Sequence, residues 1–162
     1  MLFWYVGMSV LLVANVFRSV GVDYRLVAVG SLLPLLVDVP NGGWGFGHTL
    51  VFPVALLVLV MVATVGRSRL LRRRLLCLPI GVFCGLILSG AFAQSGVFWW
   101  PLGRGSFAAH DLLPAWWAVV IEELVGLVAG WWVVGQFDLW IAAPRDRFLR
   151  TGRLEETRPP DA

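Results

Sequence analysis

The chain of 162 residues contains no lysine, two cysteines, two histidines and few charges of either sign. Each scarcity excludes something. Charged residues make up 14% and apolar residues 59%, against about 25% charged in soluble proteins. A soluble domain of this size must cover itself with polar surface, and this chain has too little, which predicts an integral membrane protein. The missing lysine reads as genome composition, because all 13 basic residues are arginine. The net charge of +3 does not point to nucleic acid, since the arginines flank apolar runs as topology signals. Cys77 and Cys84 lie on one apolar run, about 10.5 Å apart along a helix. No disulfide bridges that distance, and two cysteines without neighbouring histidine are poor metal ligands, so both read as packing residues. The first apolar run, Leu2 to Phe17, has neither the basic start nor the small-residue cleavage site of a signal peptide and reads as a retained span.

Arginine is concentrated instead. Residues Arg67 to Arg74 hold five arginines and no acid, between the apolar runs His48 to Gly66 and Leu75 to Phe92. A bilayer core about 30 Å thick needs about 20 apolar helical residues, so both runs are long enough to span or nearly so. Arginine-rich short loops stay in the cytoplasm. The expected architecture is all-α: an integral membrane helical bundle of about five hydrophobic segments over residues 1–137, then a polar, partly disordered cytoplasmic tail over 138–162. The second segment, Leu26 to Val37, is short, carries Pro34, and either crosses or re-enters. Crossing puts the N-terminus outside, and re-entry puts it inside. The expected location is the plasma membrane, multi-pass, with the 67–74 loop and the tail cytoplasmic. The loops at 39–47 and 93–111 then face outward, and the tryptophans fall into interfacial belts.

Polar residues near the outer face are the candidates for chemistry. Asp38 ends the second segment and His48 opens the third, so a nine-residue loop brings carboxylate and imidazole to one face. Such a pair could bind a divalent metal or exchange a proton. Against that stands the plainer alternative of a helix cap or headgroup contact for each. His110 and Asp111 precede the last span, Leu112 to Phe137, and Asp111 is expected to N-cap it. Glu122 and Glu123 fall about ten residues into that span, where ionisable groups are costly and mark function by default. Gly81, Gly85 and Ser89 repeat every four residues, as do Gly126 and Gly130. Small residues at that spacing let helices approach closely, inside a chain or between chains.

The ordered segments "LFWYVG", "DYRLVAVGSLLPLLVDVP", "GHTLVFPV", "LRRRLLCLPIGVFCGLILSGAF" and "VFWWPLG" resemble the membrane-bound metal-dependent hydrolase family of YdjM-like proteins over roughly residues 1–105. The resemblance implies a metal site of histidines and aspartates at six positions. Two hold such residues here, Asp38 and His48, while the others are Tyr5, Leu35, Gly85 and Ser89. Two ligands do not complete a catalytic zinc site, which usually has three.

Three readings follow. The first is a non-catalytic protein of hydrolase-like fold, a pseudoenzyme, with membrane lipids as partners, no cofactor, and tolerance of Asp38→Ala. The second is a metal-dependent hydrolase holding zinc or another divalent ion through Asp38, His48 and a third ligand, acting on a lipid-like or envelope substrate at the outer face. The third is a small transporter or channel component using Glu122 or Glu123.

Overall fold

The computed structural model describes residues 1–17, 21–102 and 115–154, and every regular element among them is helical. Eight α-helices follow in order: α1 Leu2–Phe17, α2 Tyr24–Asp38, α3 Val51–Ala63, α4 Arg69–Leu75, α5 Cys77–Leu88, α6 Ser95–Phe98, α7 Trp116–Gln136 and α8 Ala142–Thr151. Short 3-10 turns occupy Val39–Asn41, Phe46–His48 and Ala91–Ala93.

The caps explain most of the boundaries. Asp23 precedes α2 with extended backbone, and its side chain accepts from Arg25 N. Ser68 does the same for α4 through Leu71 N. The apolar run that begins at His48 yields helix only from Val51 to Ala63. There the Thr64 hydroxyl donates to the Val60 carbonyl at 2.7 Å, and Gly66 takes φ 75°. The arginine segment, expected as a loop, is mostly the helix α4. It stops one residue short of α5 because Pro79 has no N–H for the carbonyl four residues back, at Leu75.

These stops shorten the expected spans. At about 1.5 Å per residue, α3 and α5 are about 20 Å long, well under the roughly 30 Å of a hydrocarbon core. Only α7 among the described residues is both long and apolar enough to cross a membrane; α1 and α3 are apolar but shorter.

Packing centres on α2 and α5, with α1 laid against both and α7 against α1. Glycine makes the two main contacts possible. A Cβ on Gly81 would overlap the Val27 carbonyl oxygen, and one on Gly85 that of Ser31. On the other pair, Gly7 faces the backbone of Gly126, and Gly126 faces Phe3 and Trp4. Gly81, Gly85 and Gly126 are therefore occupied by close approaches within this chain, whereas a Cβ on Gly130 would meet nothing within 4 Å. At the end where α7 gives way to α8, Val13, Tyr24, Val27, Cys77, Val133 and Phe137 form a buried cluster, joined by Leu154.

The chain after Gln136 is more ordered than a polar tail. Asp138 takes φ 49°, and α8 follows with Phe148 packed on that cluster. Gly152 ends α8 at φ 71° and donates its N–H to the Phe148 carbonyl at 2.7 Å. Its own carbonyl accepts from Tyr24 N at 2.8 Å, so the tail is stitched to the start of α2.

Candidate functional site

Asp38 and His48 meet, as their spacing suggests. The last residue of α2 and the last of the 3-10 turn Phe46–His48 lie either side of a glycine-rich loop. Asp38 Oδ2 lies 2.6 Å from His48 Nδ1. The same oxygen accepts from Gly45 N at 2.7 Å, and Oδ1 accepts from Gly47 N at 2.8 Å. Both side chains are sealed, at 0% and 2% exposure. A Cβ at Gly45 or Gly47 would stand 3.0 Å from Asp38 Oδ1, so small residues are needed for the carboxylate to reach both amides.

A carboxylate accepts and does not donate, so the imidazole carries a proton on Nδ1 and turns Nε2 away from Asp38. Trp44 stacks on the imidazole with centroids 5.0 Å apart and planes 4° from parallel. Leu50 N donates to Phe98 O at 2.9 Å, tying the loop to α6. The result is a clasp: one buried carboxylate closing a loop with three donors. Neither side chain caps a helix: the N-cap position of α3 is Leu50, and Asp38, at the N-cap position of the 3-10 turn Val39–Asn41, makes no side-chain cap hydrogen bond.

The other four positions singled out by the resemblance do not join it. Gly85 is pressed on Ser31, seven residues before Asp38 on α2 and so about 10 Å along the helix. Tyr5 is buried on α1, and Leu35 is half-buried. The Ser89 hydroxyl donates to the Leu86 carbonyl of its own helix at 3.0 Å. Both oxygens of Asp38 are committed to the loop, and His48 offers one nitrogen. No group of three or more His, Cys, Asp or Glu able to hold a metal occurs among the described residues. These residues do not fit a catalytic zinc, which takes three protein ligands and an open position.

His110 and Asp111 lie outside the described residues, as do Arg18, Arg104 and Arg158. The expectation that Asp111 caps the last helix therefore falls outside the described residues, among which α7 starts at Trp116 with Ala115 at its N-cap position. That late start also moves Glu122 and Glu123 into the second turn of α7, nearer its end than the sequence implies. Glu123 accepts from Phe3 N at 3.0 Å and pairs with the Met1 amine, so it caps α1 from a neighbouring helix. Glu122 is half-buried, and its Oε2 has no hydrogen-bond partner.

One charged site escapes a reading by spacing. Asp23 is 3% exposed and accepts from Arg25 Nε at 3.2 Å and from Arg74 Nη2 at 3.0 Å. Arg25 also donates to the Leu149 carbonyl at 2.8 Å, and Asp23 N donates to Cys77 Sγ at 3.3 Å. A Cβ at Gly152 would collide with the Asp23 carboxylate. The run "DYR" announces a helix start, but Arg74 arrives from 51 residues away, which no local pattern shows.

Burial pushes the Asp23 carboxyl up, yet the hydrogen bonds and charges of Arg25 and Arg74 outweigh it and hold it below its ordinary value of 3.8. A depressed folded value means the stabilisation is complete above the ordinary value and is lost as the pH falls through the lower one. The gap in thermal midpoint between wild type and Asp23→Asn should therefore be widest at neutral pH and close in acid. A gap that does not vary with pH would remove Asp23 from this role.

No family model, curated protein or solved structure matches the chain.

Proposed function

We propose that the chain is a multi-pass plasma-membrane protein of YdjM-like architecture whose role is non-catalytic, acting through interaction or as a structural membrane component. The observation that carries this reading is the saturation of Asp38 by two backbone amides and His48 inside a sealed loop. In a hydrolase site those atoms would face a metal or water. The glycine at 85, wedged on a backbone carbonyl, supports it, because no ligating side chain has room there.

The membrane part rests on exposed apolar surface. Val16 is 71% exposed, Val62 65% and Val128 66%, on three different helices. Only 17% of the apolar window of α7 is buried. Soluble monomers rarely leave large contiguous apolar patches uncovered. The 67–74 segment and the tail would face the cytoplasm. The shortness of α3 and α5 requires local thinning, tilt of the longer helices, or mutual shielding of their ends.

The test is the divalent-metal content of detergent-purified protein, wild type beside His48→Gln, a variant that keeps a hydrogen-bonding side chain at the loop. Less than stoichiometric metal in both is the expected result. About one zinc per chain, lost in His48→Gln, would sink the proposal and favour a hydrolase acting at the outer face. One feature leans that way: a carboxylate on Nδ1 is the usual support for a histidine that ligates through Nε2. The transporter reading is left with Glu122 alone, since Glu123 is committed to the start of α1.

A further inference from the structure

The end of the bundle opposite the Asp38 loop presents an uneven distribution of charge. On α4 the fold uses two arginines: Arg72 donates to Thr64 Oγ1 at 3.3 Å, and Arg74 binds Asp23. Arg69 and Arg73 of the same helix are exposed. The segment of α8 adds Arg145, Arg147 and Arg150, all exposed. The described acids at this end are Asp23, which is buried between arginines, half-buried Asp138, and Asp146, which is 4.0 Å from Arg145. Positive charge is in excess, and it stands on two helices held in place by the Asp23 and Gly152 contacts.

Beside these arginines lie large apolar side chains that the fold leaves open. Trp132 is 63% exposed, Trp140 60%, Ile141 57% and Leu149 59%. Trp140 is braced edge-on against Trp131 at 4.9 Å. Exposed tryptophan and aliphatic groups interleaved with arginine suit one environment, the boundary between acyl chains and headgroups.

We infer that the α4–α8 surface is a docking face for anionic phospholipid headgroups, with Trp140, Ile141 and Leu149 entering the acyl boundary. The inference rests on the membrane reading above and adds a lipid class to it. The arginines are spread over two helices, so the surface fits a plane of many phosphates better than one dissolved anion. The apolar flank distinguishes it from a nucleic-acid face, where contacts to phosphate are polar.

The experiment uses the full chain in neutral detergent, with brominated phosphatidylglycerol or brominated phosphatidylcholine titrated in as quenchers of tryptophan emission. The variant is Arg69→Gln, Arg145→Gln and Arg150→Gln together, all exposed positions. Phosphatidylglycerol should quench at concentrations at least about tenfold lower than phosphatidylcholine. The triple variant should weaken its binding on the order of 100-fold, from three lost charges near an anionic surface. Equal quenching by both lipids, or an unchanged variant, overturns the inference while leaving a detergent-requiring membrane protein. Displacement of the lipid by inorganic phosphate or by a short oligonucleotide overturns it in favour of a plain anion site or a nucleic-acid face. A chain that stays monodisperse in water without detergent overturns the membrane reading itself.

Discussion

Gly85→His, which places a potential metal-ligating side chain between the two helices, should prevent α2 from seating on α5. A Cβ at 85 overlaps the Ser31 carbonyl, and the same helix pair is already at closest approach where Gly81 meets Val27 and Gly30 meets Leu78. Overpacking of a side-chain core costs typically about 1–3 kcal/mol. Here the obstacle is backbone on both sides, which cannot change rotamer, so the loss should exceed about 3 kcal/mol. Thermal or denaturant unfolding in detergent measures it, with Gly130→Ala as the control, because a Cβ there meets nothing within 4 Å. A Gly85→His protein with an unchanged midpoint would mean that the helices part easily, and room for a ligand at 85 would return.

Asp38→Ala should be almost as damaging. Removing the carboxylate leaves the Gly45 and Gly47 amides and the His48 Nδ1–H without their acceptor in a sealed site. Leaving a buried donor without its acceptor costs about 1–3 kcal/mol for each group so stranded. Asp38→Asn keeps one acceptor oxygen and should lose less. The readouts are the unfolding midpoint and the near-ultraviolet circular dichroism of Trp44, whose stacking on His48 depends on the loop. Both midpoints matching wild type would show that the clasp contributes little. A large loss in Asp38→Ala would reverse the expectation, drawn from the sequence, that a non-catalytic chain tolerates this substitution. Tolerance would follow if Asp38 were only a leftover ligand, but it holds the loop together.

The contrast shows what a linear reading can reach. Helical class follows from long apolar runs and the absence of strand alternation, and the structure agrees. The meeting of Asp38 and His48 was legible because nine residues of glycine-rich loop must bring their flanks together. The glycine repeats marked the close helix approaches at Gly81, Gly85 and Gly126, although not their partners, while Gly130 has open space where its Cβ would be. What stayed hidden has a common cause. Helix ends were set by single side chains, such as the Thr64 hydroxyl returning to Val60, rather than by the extent of apolar sequence. The Asp23–Arg74 pair and the Glu123 cap on α1 join residues 51 and 120 positions apart. The helical tail was obscured because six of the ten residues of α8 are polar or proline, and its order comes from Phe148 and Leu154 anchoring it to a core formed elsewhere.

The pairing of α1 with α7 sets the order in which the chain can mature. The glycine-lined face of α1, at Gly7, is matched to Gly126 on a helix made more than 100 residues later. Until α7 emerges, that face and the α1 N-terminal amide at Phe3, which needs Glu123, have no partner in the chain. The α2–α5 pair can close earlier, because both of its members are complete by Leu88. Biogenesis thus divides into an early pairing and a late closure, and the Gly7 face of α1 stays open between the two, where a nascent-chain insertase or chaperone would find it.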